Sequence, residues 1–241
     1  MPIEINDLET MRFGVKCAKR SDPDAPLAAV NAAAEVQGVR MISTRVDVSD
    51  LPQVHRLEAD GYRLMDTLVY YRRTLGTPFP GQADSHDQAL RPARQEDAAA
   101  VGDVARAAFR GFSGHYHADP RLDDRQADAA YVEWAETSIA RTTGETLSIV
   151  AVRDQTIVGF LCLQRNTPTQ YEVVLNGVSP AHQRGGIYTS LFSQAGRIAT
   201  NHGGSEIIVS TQIDNYPVQK VWARAGMMHY RSYYTFHKWF D

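Results

Sequence analysis

The chain of 241 residues is short of cysteine, of charge of one sign and of long apolar runs. Its two cysteines, Cys17 and Cys162, cannot form a disulfide framework or a CxxC metal site, and each lies in an apolar, strand-like stretch. They read as small core residues, and no metal is expected. With 25 Lys and Arg against 28 Asp and Glu, the formal net charge is −3, so no broad basic face is implied and nucleic acid is not an expected partner. No apolar run reaches the length of a membrane span, and residues 1–10 carry Glu4, Asp7 and Glu9 in place of a signal-like apolar segment. A membrane partner is therefore not expected, and a cytoplasmic location is. The sequence also lacks G-x-x-x-x-G-K-[ST] and G-x-G-x-x-G, which disfavours nucleoside triphosphates and dinucleotides. What is present, 43% hydrophobic and 22% charged residues, is near the globular average, at a length that buries a core unaided.

The patterning predicts an α/β protein in two parts. Residues 13–18 read as a strand, 27–37 as an Ala-rich helix closed by Gly38, and 39–46 as a second strand. Ser49 or Asp50 caps a short helix that Gly61 ends, and residues 62–71 form a third strand, with Arg72 and Arg73 at its solvated end. This β-α-β-α-β order assigns residues 1–75 to a small N-terminal α/β domain. Residues 76–88, rich in Gly, Pro, Ser, Asp and His, read as a linker, and 89–241 as the second domain. There, helices are predicted over 96–109 and over 125–141, the latter with Tyr131, Trp134, Ala135, Ser138 and Ile139 on one face and Gly144 at its end. Strands 147–152, 156–164 and 170–178 follow closely enough for antiparallel hairpins, and then a helix (187–201), a strand (206–211), a helix (217–225) and a strand (228–240).

The segment with the most chemical content is Val173-Val174-Leu175-Asn176-Gly177-Val178-Ser179-Pro180-Ala181-His182-Gln183-Arg184-Gly185-Gly186-Ile187-Tyr188. An apolar strand runs through a loop with two glycines into a helix, so N–H groups without intrahelical partners face outward at the positive end of the helix dipole. Such a geometry holds phosphate, although an ordinary strand-to-helix turn reads the same way.

Gln183-Arg184-Gly185-Gly186-Ile187-Tyr188 resembles the Q/R-x-x-G-x-G/A motif of the GNAT superfamily of acyl-CoA N-acyltransferases, with Tyr188 standing where Gly or Ala is usual. The resemblance spans residues 90–240, from Arg91-Pro92-Ala93 to the stretch between Asn215 and Met227. It implies a GNAT fold with a mixed, splayed central sheet flanked by helices, and acetyl-CoA as co-substrate. By this likeness the cofactor enters where the strands ending at Val178 and Thr211 diverge, with its pyrophosphate on the amides of Arg184, Gly185, Gly186, Ile187 and Tyr188 beside Gln183. An amine then attacks the thioester directly, and a backbone N–H, that of Val178, stabilises the oxyanion. In the family a Tyr seven residues after the Asn matched here by Asn215 often protonates the leaving thiolate. This chain has Trp222 there, and an indole N–H cannot give up its proton at useful pH. Tyr188, Tyr216 or water stand as replacements, or the thiolate leaves unprotonated. Asn215 itself matches a residue that touches the pantetheine arm, and an N-cap for the following helix is the competing reading.

His115, His117, Asp119 and Arg121 form the densest polar group. As substrate contacts, Arg121 would pair with a phosphate and His117 would serve as base; as structure, Asp119-Pro120 is a turn before a helix. Glu172 is a second candidate base, on a strand whose facing alternation leaves open, and Gln212 a further substrate contact. Taken with the N-terminal unit and Tyr234-Thr235-Phe236-His237-Lys238-Trp239, the arrangement resembles the dTDP-fucosamine acetyltransferase group, which implies a nucleotide-linked amino sugar as the small-molecule amine. The rival readings are a non-catalytic acyl-CoA-binding or sensing module and an acetyltransferase of protein N-termini or lysines. A homodimer stays open.

Overall fold

A computed structural model describes residues 1–77, 79, 89–140 and 146–240. Most of the expected linker (76–88) and the expected helix end at Gly144 lie outside the described residues. The elements are β1 (Ile3–Ile5), α1 (Asp7–Phe13), β2 (Cys17–Arg20), α2 (Leu27–Gln37), β3 (Met41–Asp47), α3 (Leu51–Ala59), β4 (Arg63–Thr74), β5 (Ala89–Pro92), α4 (Ala98–Ala108), α5 (Asp124–Ala140), β6 (Thr146–Arg153), β7 (Thr156–Arg165), β8 (Gln170–Val178), α6 (Ile187–Asn201), β9 (Glu206–Gln212), α7 (Tyr216–Arg224) and β10 (Met228–Trp239). The protein is mixed α/β, as the composition and patterning imply. Among the described residues, no helix is long and apolar enough to cross a membrane.

The chain divides into two compact units, and the division differs from the sequence expectation. Unit one holds Met1–Val69 together with Ser113–Ala127 and Arg231–Asp241, and unit two holds Tyr70–Phe112 and Asp128–Tyr230. The reason lies in pairing between distant segments. Tyr233 to Trp239 of β10 pairs antiparallel with Asp47 to Met41 of β3, and β3 is parallel to β2, which is antiparallel to β1. The core of this unit gathers Ile42, Val30, Leu57 and Phe236. The strand expected over residues 13–18 starts only at Cys17, as β2. Phe13 ends α1, whose N-terminus is capped by the Asn6 side chain accepting from Glu9 N at 3.2 Å, and Gly14 takes the left-handed conformation (φ 65°) that stops the helix.

In unit two, β5 to β8 form an antiparallel meander, and β9 joins β8 in parallel. Asp154 and Gln155, both at positive φ (47° and 63°), make the tight β6–β7 turn. Two apolar layers cover the sheet. Val173, Val178, Ile187, Leu191, Phe192 and Trp222 belong to one, and Val101, Ala105, Ala135, Ile139, Phe160 and Leu175 to the other. Trp134, expected on the core face of α5, is 43% exposed, while Ala135 and Ile139 are buried as expected. Arg73 also departs from expectation. It is buried, donates to the Ala225 carbonyl and to Thr77, and lies 4.1 Å from the ring centre of Phe79. Arg72 is exposed, 3.7 Å from Glu206.

Candidate active site

The register of β8 fixes the geometry of the site. Opposite β7, Leu163 pairs with Val173 and Cys162 with Leu175, so Val174 is an extra residue that bends the strand. The bulge also exchanges the faces of the strand: Tyr171 and Val173 point into the layer around Ile187, whereas Leu175 points into the layer around Phe160. Pairing with β9 stops at the same place. Its last partners are Val173 and Val209, although β8 continues to Val178 and β9 to Gln212. The two strands therefore run on side by side without a ladder. Ser179 N–H donates to the Val158 carbonyl of β7 at 2.9 Å. By antiparallel alternation the N–H of Val178 points to the opposite edge of the strand, into that gap.

After Val178 the chain makes a short 3-10 turn (Pro180–His182) and enters the loop before α6. Gln183 Nε2 donates to the Val178 carbonyl at 3.2 Å, which fixes the loop against the strand end. Arg184 (φ 67°) and Gly186 (φ 78°) are both left-handed, and between them Gly185 completes a concave run of amides. Among the described residues, none of the N–H groups of residues 184–189 donates to a protein acceptor, and the first bond of the helix is Ser190 N–H to the Gly186 carbonyl at 3.0 Å. Six donors at a helix N-terminus are thus left without a protein acceptor among the described residues. A Cβ built on Gly186 meets nothing within 4 Å, so the space in front of the loop is open. These features fit a pyrophosphate. Ile187 has only its backbone to offer a ligand, because its side chain is 2% exposed.

Tyr188 and Trp222 meet directly. The indole N–H of Trp222, a residue 1% exposed, donates to the Tyr188 phenol oxygen at 2.8 Å, and the Tyr188 ring stacks on Phe192 at 4.9 Å. Trp222 is held from its other side by Tyr71, with ring centres 5.4 Å apart. An indole is a donor only, so the phenol oxygen acts as acceptor and its own proton is directed elsewhere. Burial raises the Tyr188 pKa well above the ordinary phenol value, against a smaller lowering by Trp222, and the hydroxyl stays protonated at neutral pH.

Beside the gap, Asn215 occupies the position before α7, yet its side chain does not cap the helix. It donates from Nδ2 to Thr211 Oγ1 at 2.9 Å. Gln212 is buried at the end of β9, and its carbonyl accepts from Asn215 N and from Gln219 Nε2. Glu172 is not brought to Val178. Six residues earlier on β8, about 20 Å at strand rise, it accepts from Asn166 Nδ2 at 2.8 Å in the β7–β8 hairpin. Both cysteines are buried, and burial pushes the thiols up, to about 12 at Cys17, where Glu9 adds to the effect, and to about 11 at Cys162. Neither is an available nucleophile.

The histidine-rich segment belongs to unit one, where its members are engaged with one another. Asp119, 2% exposed, accepts from His237 Nδ1 (2.7 Å) and Trp239 Nε1 (2.8 Å) through one oxygen and from Arg121 N (3.0 Å) through the other. Asp119 is therefore a structural anchor and not a substrate contact. Burial raises its pKa, but the bonds from His237, Trp239 and Arg121 N outweigh this and hold the carboxyl below its ordinary value. His237 Nε2 in turn meets His115 Nδ1 at 2.9 Å. His117 Nδ1 accepts from Gly114 N at 3.2 Å, so in the neutral ring the proton sits on Nε2 and no lone pair is left for a base. His237 and Trp239 are the residues that spacing could not connect to this group. They lie 118 and 120 positions from Asp119.

Residues 107–227, half of the chain, match the family model "Acetyltransferase (GNAT) family". The chain belongs to the GNAT acetyltransferase family. Solved structures carry the same fold over nearly the whole length. A GCN5-related N-acetyltransferase from Sphaerobacter thermophilus is 17% identical over 98% of this chain and 76% of that one, with a TM-score of 0.66. One from Kribbella flavida is 12% identical over 98% and 86%, with a TM-score of 0.67. A tandem GNAT protein from the clavulanic acid biosynthesis pathway is 14% identical over 94% and 76%, with a TM-score of 0.63. No curated protein matches the sequence.

Proposed function

We propose that this GNAT protein transfers the acetyl group of acetyl-CoA to a small-molecule amine by direct attack on the thioester. The observation that carries the reading is the gap between β8 and β9, with the Val178 N–H turned into it and a row of outward N–H groups at residues 184–189 at its end. The row supports the pyrophosphate by hydrogen bonding and by the positive end of the α6 dipole. The gap lets the pantetheine arm take the place of the missing ladder, with Asn215 and Gln212 along it. As the amine lone pair attacks, charge develops on the carbonyl oxygen, and the Val178 N–H is the donor that meets it. The C–S bond breaks with its electron pair on sulfur, the Tyr188 hydroxyl, held by Trp222, supplies the proton, and the proton that the attacking nitrogen loses passes to solvent water, from which Tyr188 is reprotonated. The amine reaches this step as the free base. No covalent acyl-enzyme forms, in line with two buried, high-pKa thiols. The acceptor that the sequence resemblance favours is an amino sugar carried on a nucleotide.

The test is thiol release from acetyl-CoA across a panel of amines: nucleotide-linked amino sugars, free amino sugars, polyamines, and peptides with free N-termini or lysines. The expected result is turnover that saturates in one of the nucleotide-linked amino sugars. Turnover with peptides alone would replace the acceptor class. Acetyl-CoA binding without turnover on any amine would support a sensing module.

A further inference from the structure

Unit one is acidic, with 15 Asp and Glu against 12 Lys and Arg, yet it contains a pocket of about 680 Å³ whose charged lining, among the described residues, is Lys16, Arg40, Arg121 and Asp123. The cations are brought together by structure and not by sequence proximity. Lys16 precedes β2 and Arg40 precedes β3, and the Lys16 carbonyl accepts from Arg40 N at 2.8 Å and Met41 N at 3.3 Å, which places the two residues side by side. Arg121 arrives from the segment before α5, its guanidinium 4.3 Å from the ring centre of Trp239. One ammonium hydrogen of Lys16 goes to the Gln37 carbonyl at 2.7 Å, which leaves two donors. Among the described residues, no acceptor or carboxylate takes the Arg40 guanidinium. Lys16 and Arg40, placed side by side in this way, repel one another, and an anion between them removes that cost.

The wall is also built to hold still. The same buried Asp119 carboxylate fixes the Trp239 indole through one oxygen and the Arg121 backbone through the other, and Asp119 is itself held by His237, 1% exposed. Phe13 and Leu122, both 8% exposed, supply an apolar side. The volume lies within the range of small-ligand sites, and the mixture of apolar lining with a few convergent charges is what such sites show.

We propose that this pocket binds a small organic anion, a phosphate or carboxylate on a flat apolar body, with the anionic group at Lys16 and Arg40 and the flat body against Trp239 and Phe13. The Lys16 ammonium and the Arg40 guanidinium supply donors that both phosphate and carboxylate accept.

Calorimetric titration of the full chain with phenyl phosphate, benzoate and inorganic phosphate tests this. At least one aryl anion is expected to bind saturably with one site per chain, more tightly than inorganic phosphate, and the better of the two identifies the anionic group. Arg40→Glu and Lys16→Glu, both at exposed positions, should each weaken binding roughly tenfold or more with circular dichroism unchanged. Binding should persist in Gly186→Glu, which alters the amide loop of the other unit, so failure here and failure of the acetyl-CoA reading are separable. Lack of saturable binding at millimolar concentration would overturn the proposal. So would affinity unchanged in both charge reversals, equal affinity for inorganic phosphate, or loss of binding in Gly186→Glu.

Discussion

In unit one, the side chains that looked reactive in the sequence saturate one another: His115 meets His237, His237 meets Asp119, and Asp119 also takes Trp239 and the Arg121 backbone. In unit two, the groups proposed to hold the cofactor are backbone donors that no protein acceptor takes among the described residues, the amides of residues 184–189, and the Val178 N–H turned away from β7. The contrast separates two uses of polarity. A buried side-chain network is satisfied internally and specifies one arrangement of its strands and loop. A row of open amides is held rigid by secondary structure and kept ready for a ligand. Variants in the two regions should therefore fail in different ways, by loss of ligand in unit two and by loss of stability in unit one.

The largest effect is expected from Gly186→Glu. A side chain there projects into open space, so packing is spared, although the left-handed φ of 78° costs about 1–2 kcal/mol for a residue with a Cβ. The carboxylate would stand where the pyrophosphate belongs, and acetyl-CoA affinity should fall by about a hundredfold or more while the chain remains folded. Calorimetry and thermal melting give both quantities, and unchanged affinity would remove the phosphate role of the loop. Next comes Tyr188→Phe. If the phenol protonates the thiolate, turnover should fall by roughly ten- to a thousandfold with little change in acetyl-CoA affinity. The variant also leaves the buried Trp222 N–H without its acceptor, costing about 1–3 kcal/mol of stability. Trp222→Phe separates the two contributions, because it keeps the phenol and removes only what orients it. Its turnover should fall less than that of Tyr188→Phe, and an equal fall in both would mean that packing, and not proton transfer, is being measured.

How much of this could be read from the sequence follows the range of the interactions. Local signals were reliable: the Gly38 stop of α2, the extent of β8 (Gln170–Val178), and the loop leading into α6 (Ile187–Asn201) depend on neighbouring residues and came out as expected. The fate of Glu172 was not legible, because the bulge at Val174 reverses the facing of β8 halfway along, and no strict alternation carries across it. The substrate and structural readings of the His115 to Arg121 cluster could not be separated for a related reason. Its partners His237 and Trp239 arrive on β10, and sequence shows density of polar residues but not whether they satisfy one another. Arg73 illustrates the same limit, since its acceptor at Ala225 lies 152 positions away. Trp222 was visible as a departure from the family pattern, but its bond to Tyr188 required two helices to be packed.

The smallest effect, and the one that isolates unit one, concerns acid. Burial holds the His115 pKa well below its ordinary 6.5, with neighbouring positive charge from His237, Arg45, Lys19 and His117 acting in the same direction. The folded chain thus resists a proton that the unfolded chain accepts. Stability from this residue is complete above pH 6.5 and is lost progressively as the pH falls below it, with a slope of at most about 1.4 kcal/mol per pH unit. Asp119 adds its own loss only lower, because its depressed carboxyl pKa releases stability as the pH drops below 3.8. Between pH 6.5 and 5, then, His115 should dominate, and the wild-type chain should lose about 1–2 kcal/mol. His115→Gln keeps a side chain able to donate to His237 but cannot be charged, so it should start somewhat less stable at pH 7 and lose less on acidification. Urea denaturation at pH 7, 6 and 5 measures this as a difference in slope, which a general loss of packing would not alter. Parallel slopes in the two proteins would show that acid acts elsewhere in unit one, and acetyl-CoA affinity at pH 7 should be the same in both.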